Sequence, residues 1–470
     1  MRGLAILAAV AALALSALAG PAAAAPQPGE AAFRALYKEL VETNTTQSSG
    51  SCTLAAERMA ARLKAAGFAD ADLTLFALPE FPKDGGLVAV YPGRDPKAGA
   101  ILLLAHLDVV EAKREDWTRD PFTLFEEGGY FYARGAADDK AQAAIFTDLF
   151  IRLRQEGYRP RHTLKLALTC GEEGGRFNGA SWLAQNRRDL IDARFALNEW
   201  AGVNLDAAGK PVFHAIMADQ KTVGTYRLEA TNPGGHSSRP LPDNAIYHVT
   251  RAVDRIAAYE FPAQLNDVTR AYFGAMSKIV GGERGAAMAA IVADPNDAAA
   301  KAVLARDPND HAMMGTTCVA TMFEAGHAAN ALPQRATATI NCRIVPGVTR
   351  AAVRDTLVGL IDDPQVTVSE SRGREGVAGP PLTPQIMDPI RKVSEQLWPG
   401  VPVVPTMEAA ATDGKALITA GIPTYGVMGL ALEPDLGHMH GLNERIGVKS
   451  VLDAREFTYR LVKIYADQKD

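Results

Sequence analysis

Two imidazoles and three carboxylates, His106, Asp138, Glu173, Glu199 and His440, each stand at or near the end of an apolar run. Zinc accepts imidazole nitrogen and carboxylate oxygen, and two zinc ions about 3.5–4 Å apart need one carboxylate between them plus two terminal ligands each. These five residues supply that count. The first of them belongs to a His-x-Asp triplet, His106-Leu107-Asp108, directly after the run Ile101 to Ala105. That run is short and apolar enough for a buried parallel strand, so His106 falls where strand gives way to loop. Open sheets carry their chemistry at that edge. Asp108 points the same way as His106 if the chain stays extended, and a carboxylate bonded to a ligating imidazole fixes its tautomer.

The same logic applies further along. Gly171-Glu172-Glu173-Gly174-Gly175 follows the apolar run Leu164 to Thr169. Adjacent carboxylates repel each other, so a solvated loop competes here with a division of labour in which one acid binds metal and its neighbour moves protons. Glu199 ends the run Phe195 to Leu197 in Leu197-Asn198-Glu199-Trp200. His440 opens His440-Gly441-Leu442-Asn443-Glu444, beyond the run Tyr425 to Leu432.

The elements that must position these residues read as an α/β layer. Helical spacing covers 31–43, 54–66 and 140–155, with Gly67 ending the second stretch as a C-cap glycine does. Short apolar runs at 73–76, 87–91, 100–105, 164–169 and 195–197 alternate with them. That alternation predicts a mostly parallel sheet flanked by helices. Between 222 and 370 the pattern changes to strand 226–230, helix 244–259, strands 318–323 and 337–344, helix 349–361 and strand 365–368. This is an inserted α+β unit whose first helix carries Ile246, Val249, Val253 and Ile256 on one face. Residues 263–311 are longer than such a unit needs and read as a helical insertion within it, shaping substrate access. The catalytic layer then comprises 26–221 and 371–470.

Residues 1–25 have a basic head at Arg2, an apolar segment from Leu4 to Leu18 and a small-residue stretch before Pro26, the pattern of a secretory signal peptide without a stable membrane anchor. Export to the periplasm or the medium follows, and about 445 residues remain, ample for a substantial core. The net charge of −5 with 22% charged residues, well mixed, excludes the basic stripe of a nucleic-acid binder. Cys52, Cys170, Cys318 and Cys342 are too few and scattered for a disulfide scaffold and read mostly as buried thiols. A bridge between Cys318 and Cys342, which flank a hairpin, is the exception that export would allow.

Six blocks, HLD, ARGAADDK, GEEGG, GGHSS, NCRIVPG and HGLNE, resemble in order and spacing those of the aminoacylase, glutamate carboxypeptidase and dipeptidase family of dizinc metallohydrolases. The resemblance spans nearly the whole mature chain. It implies a zinc-peptidase-like catalytic domain with an inserted ferredoxin-like lid or dimerisation domain, and two zinc ions per subunit. A single zinc, or cobalt or manganese in its place, is the alternative filling. By resemblance Asp138 bridges the ions, His106, Glu173, Glu199 and His440 are terminal ligands, Glu172 is the general base, Asp108 orients His106, and Asp139 is not a ligand. His236 in GGHSS would stabilise the oxyanion from across a homodimer. Arg343 in NCRIVPG would grip a substrate carboxylate with its bidentate fork, and Asn330 would help hold the substrate. The HGLNE spacing favours His440 over His438, and His162, His214, His248, His311 and His327 match no block. Ala141 and Gln142 replace glycines common among relatives, and Asn198-Glu199-Trp200 replaces a more usual acidic-acidic-Gly triplet, which makes Glu199 the ligand with least support.

These readings converge on an exported zinc metallopeptidase, a carboxypeptidase or dipeptidase, cutting an amide next to a free carboxylate. The alternative is an N-acyl amino acid hydrolase, and the minor one a non-catalytic metal- or peptide-binding protein. Export favours peptides as the substrate.

Overall fold

The computed structural model describes residues 26–371, 373 and 375–469, so the signal-peptide reading at 1–25 lies outside the described residues. A ten-stranded mixed sheet forms the catalytic layer. At its centre Ala100–His106 runs parallel to Thr163–Thr169 on one side and to Phe195–Asn198 on the other, with Thr424–Gly426 parallel beyond. Every residue of Ala100–His106 is buried, because helices cover both faces and a strand in that position has no solvent side. Leu73–Leu78 and Phe81–Tyr91 close one edge antiparallel. At the other edge Pro211–Gln220 carries Val403–Glu408 in parallel.

Helix Lys140–Gln155 is buried along almost its whole first half, with Ala141, Ala143 and Ala144 giving close approach to the sheet. Helix Cys52–Ala65 begins at Ser51, whose hydroxyl accepts the Leu54 N–H and so satisfies one of the free donors of the first turn. The last helix, Val448–Asp467, packs on the sheet through Val451, Phe457 and Leu461. No helix of the described residues is long and apolar enough to cross a membrane.

The lid is a four-stranded antiparallel sheet in the order Thr317–Ala325, Arg335–Ile344, Thr222–Thr231, Thr367–Glu370. With helices Ala245–Ala257 and Arg350–Ile361 this is the βαββαβ ferredoxin-like arrangement. Thr222–Thr231 alternates buried and open residues, turning Tyr226, Leu228 and Ala230 toward the helices. The opposite face of this sheet carries Val223, Thr225 and Arg343.

The helical insertion differs from expectation. Its helices Asp267–Val280, Gly282–Ala293, Ala298–Leu304 and Pro308–Met314 do not join the lid core. Val268, Phe273, Met276, Met288, Ile291 and Leu304 instead belong to the core of the catalytic layer, with the first helix against Val403–Glu408. That strand would otherwise offer an uncovered edge, and an apolar helix face covers it.

The cysteines differ too. All four are bridged, Cys318 to Cys342 between neighbouring strands of the lid and Cys52 to Cys170 across 118 residues of the catalytic layer. The buried-thiol reading is therefore wrong. The second bridge escaped it because nothing in the local sequence links a helix start to a distant strand end.

His214, in strand Pro211–Gln220, is fully buried, its Nε2 bonded to the Met428 carbonyl and its Nδ1 to the Ser394 hydroxyl, both at 2.8 Å. Burial pushes it down to about 4 from an ordinary 6.5. The unfolded chain then takes up a proton near pH 6.5 that the folded protein refuses until about pH 4. Stability from this residue is full above pH 6.5 and falls through the window between the two values. Thermal midpoints measured from pH 8 to pH 4 are expected to drop less steeply below pH 6.5 in His214→Gln than in the wild type; equal slopes would exclude His214 as a source of acid sensitivity.

Candidate metal centre

Strand ends and two loops bring the acid and imidazole residues together. His106 closes the central strand, Glu172 and Glu173 follow Thr163–Thr169, and Glu199 follows Phe195–Asn198. Asp138 precedes helix Lys140–Gln155 through a cis peptide bond to Asp139. His440 arrives from far along the chain because Arg445–Gly447 pairs antiparallel with Tyr130–Tyr132, which carries the HGLNE loop against the ARGAADDK loop.

Asp138 divides its two oxygens between the histidines. Its Oδ1 lies 3.1 Å from His106 Nε2 and its Oδ2 3.2 Å from His440 Nε2. His106 Nε2 is also 3.2 Å from Glu199 Oε2, and His440 Nε2 is 2.9 Å from Glu173 Oε1. The result is two imidazole–carboxylate pairs joined through one carboxylate. Glu199 Oε1 is buried with no hydrogen-bond partner among the described residues. An orphaned carboxylate oxygen is costly to bury, and a cation satisfies it. The donor set and this orphan fit a pair of metal ions: His106, Asp138 and Glu199 could hold one, and His440, Asp138 and Glu173 the other.

Electrostatics inside the cluster are strong. Burial alone would depress the His106 imidazole, but Glu199 and Asp138 outweigh it and raise it well above the histidine range. Burial would raise Asp138, yet the His106 and His440 imidazoles hold it well below the carboxylate range. Burial pushes Glu172 up to about 10, with the Glu199 carboxylate adding to the shift, and pushes Glu199 up to about 7. Hydrogen bonds to Asp138 and Glu173 lift His440 to about 10. So many acids in one cleft favour a bound cation.

Asp108 acts differently from the expectation. The partner of His106 Nδ1 is the Asp108 backbone carbonyl at 3.0 Å, whereas the carboxylate is 3.6 Å away. Donation from Nδ1 to that carbonyl orients the ring, by backbone, so that Nε2 faces Asp138 and Glu199 and is the nitrogen that would ligate a cation on giving up its proton. The carboxylate instead accepts the backbone N–H groups of Glu173 at 2.9 Å and Glu172 at 3.3 Å. Asp139 is buried beneath the pair and accepts the His106 backbone N–H at 3.3 Å. It also has an oxygen within 4.8 Å of donor atoms of His106 and Glu199. His438 turns away to Asp435 and Arg445.

The remaining predicted residues lie on the lid. His236 pairs through Gly235–His236 with Ala331–Leu332, and the Asn330 carbonyl accepts the Ser237 N–H at 3.0 Å. The His236 Nδ1 accepts the Ser238 backbone N–H at 3.1 Å, so Nε2 carries the proton and is a donor. His236 makes no contact with the His106–His440 cluster in this chain among the described hydrogen bonds and ion pairs. Arg343 lies opposite Val223 on the open lid face, with no ion pair among the described residues. A cavity of about 430 Å³ separates that face, at Lys221, Val223 and Thr225, from Glu172 and Asp413 of the catalytic layer.

Sequence reasoning missed several supports. Arg134 and Glu444 form a buried ion pair at 2.7 Å, and Glu444 also accepts the N–H groups of Gly135 and Ala137. Arg134 further donates to the Gly441 carbonyl. Both lie inside the blocks ARGAADDK and HGLNE, so their opposite charges were the available signal. Asp413 accepts from Asn178 and Thr169, bracing the GEEGG loop.

A protein-family model, Peptidase family M20/M25/M40, matches residues 102–464. The chain belongs to this family and is a hydrolase of amide bonds. Among curated relatives, probable carboxypeptidase S-like 2 of Dictyostelium discoideum is 29% identical over 391 residues, covering 80% of this chain and 74% of that one. The N-fatty-acyl-amino acid synthase/hydrolase PM20D1 of Mus musculus is 29% identical over 407 residues, covering 79% and 75%. Among solved structures, the M20 family metallo-carboxypeptidase Sso-CP2 of Sulfolobus solfataricus matches with a TM-score of 0.68 at 18% identity, over 92% of this chain and 99% of that one. The Bacillus subtilis protein YXEP, described as a dinuclear metal-binding peptidase of the same family, matches at 0.57 and 12% identity, over 92% and 97%.

Replacing Glu444 with Gln leaves the Arg134 guanidinium buried without its counter-charge. Breaking such a pair costs about 3–5 kcal/mol. Denaturant unfolding is expected to show a loss of that size, and an unchanged midpoint would remove the pair from the account.

Proposed function

We propose that this chain hydrolyses an amide bond adjacent to a free carboxylate, using two zinc ions held about Asp138. The observation that carries the reading is the division of the Asp138 oxygens between two imidazole–carboxylate pairs. Bound zinc would supply positive charge that acidifies a water and polarises the scissile carbonyl. Glu172, at the cavity wall and three residues beyond the end of strand Thr163–Thr169, takes the proton of that water and returns it to the leaving nitrogen. Its carboxyl is raised by burial, and the positive charge of the neighbouring ions acts in the opposite sense, restoring a base. His236, a donor at Nε2, stabilises the tetrahedral oxyanion, reaching it from a second subunit of a homodimer. Arg343 clasps the substrate carboxylate, and Asn330 fixes the lid loop beside His236.

The preferred substrates are peptides, cut as by a carboxypeptidase or dipeptidase outside the cytoplasm, and two disulfides in the described chain support an oxidising compartment. Hydrolysis of N-acyl amino acids is the second reading, favoured by relatives such as the mouse enzyme named above. Both substrate types present an amide beside a carboxylate.

Zinc-loaded protein incubated with dipeptides, short peptides and N-acyl amino acids, followed by mass spectrometry, is expected to release C-terminal residues. Release from the acyl set alone would transfer the assignment to the second reading, and no release from either set would overturn the proposal. Glu172→Gln is expected to keep its zinc while losing roughly 10²–10⁴ in kcat. Asp138→Ala is expected to lose zinc, and full loading of that variant would refute the bridge.

A further inference from the structure

The GEEGG loop carries the proposed base and one proposed ligand, yet it is poorly suited to hold its own shape. Gly171, Gly174 and Gly175 have φ of 90°, 135° and 111°, and Gly174 and Gly175 are exposed. Glycine loses more conformational freedom on ordering than any other residue. Something outside the loop must fix it.

Hydrogen bonds supply part of the restraint. Asn178 donates to the Gly171 carbonyl at 2.9 Å, and the Gly179 N–H donates to the Cys170 carbonyl at 2.7 Å, closing the loop at its neck. Asp108 takes the N–H groups of Glu172 and Glu173. The covalent restraint is the bridge from Cys170, which directly precedes Gly171, to Cys52, the first residue of helix Cys52–Ala65. The bridge also borders a cavity of about 240 Å³ whose walls include Asp108, Gly171, Glu173, Gly174 and Gly175. It therefore adjoins the loop and its anchor on one side while both cysteines pack in the apolar core on the other.

We propose that the Cys52–Cys170 disulfide is a positioning element of the active site, clamping the neck of the GEEGG loop to a helix start so that Glu172 and Glu173 face the His106–His440 group. This rests on the metal-site reading above. The clamp acts by removing loop conformations in which Glu173 swings away from His440, so it governs metal affinity and the placement of the base as well as overall stability. The other bridge, Cys318–Cys342, joins directly opposed residues of two lid strands and contacts no part of this loop. It is the internal control.

Two double variants separate clamping from general stabilisation: Cys52→Ala with Cys170→Ala, and Cys318→Ala with Cys342→Ala. Below the melting temperature of both, zinc affinity is read by competition with a chromophoric chelator, and amide exchange across 171–177 is read by mass spectrometry on metal-free protein. The first variant is expected to bind zinc at least tenfold more weakly, to exchange faster across the loop, and to lose kcat more than it changes KM. The lid variant is expected to keep wild-type zinc affinity and loop protection. A first variant that melts earlier but keeps both properties would overturn the proposal. If it does not fold, the folded wild type is treated with a water-soluble phosphine. That reaction consumes one phosphine and one water per bridge and yields phosphine oxide and two thiols, counted by alkylation. Wild-type loop protection with Cys52 and Cys170 reduced would equally overturn the clamp. A wild type that binds no zinc would defeat the metal-site reading, while metal-free exchange would still decide the clamp.

Discussion

A carboxylate shared by two imidazoles is the constraint on which the rest of the molecule depends. Asp138 holds His106 by one oxygen and His440 by the other, and each histidine in turn meets a second acid, Glu199 or Glu173. Gathering these acids with Glu172 in a partly buried cleft is unfavourable in itself, because burial and mutual repulsion raise carboxyl groups together. The directions of the shifts follow from that: Glu172 and Glu199 are driven up, and Asp138 escapes only through its two imidazoles. A cleft so charged is a receptor for cations.

Holding these groups in register requires ties between distant parts of the chain. The parallel centre of the sheet aligns three strand ends, delivering His106, Glu172, Glu173 and Glu199 to one edge. The three-stranded sheet formed by Phe125–Glu127, Tyr130–Tyr132 and Arg445–Gly447 delivers His440. The buried Arg134–Glu444 pair then locks the two loops, Glu444 doubling as acceptor for backbone N–H groups just before Asp138. Around the GEEGG loop Asp108, Asn178, Asp413 and the Cys52–Cys170 bridge supply what glycine cannot.

The central strands and the helix 140–155 were legible because burial on two faces and helical periodicity leave strong local patterns, and the helix bounds agree residue for residue. The lid's strand and helix order was legible because its strands alternate buried and open residues and its first helix carries an apolar face. Juxtapositions set by tertiary packing were not. The 263–311 helices announce their amphipathic character but not which apolar surface they cover. The Cys52–Cys170 bridge depends on a helix start meeting a strand end, and spacing says nothing of that. Asp108 was placed correctly beside His106, yet alternation along an extended chain could not show that its carbonyl takes the imidazole while its carboxylate turns to the next loop. Arg134 and Glu444 were visible as opposite charges within recognised blocks, but their pairing follows only from the strand that brings the blocks together.

On the reading proposed above, Asp138 lies between two metal ions. Crystals grown with zinc and measured on both sides of the zinc absorption edge test it directly. Two anomalous peaks about 3.5–4 Å apart are expected, one beside His106 and Glu199 and one beside His440 and Glu173, with the Asp138 carboxylate between them. A single peak, or a pair that leaves Asp138 outside its coordination, would contradict it.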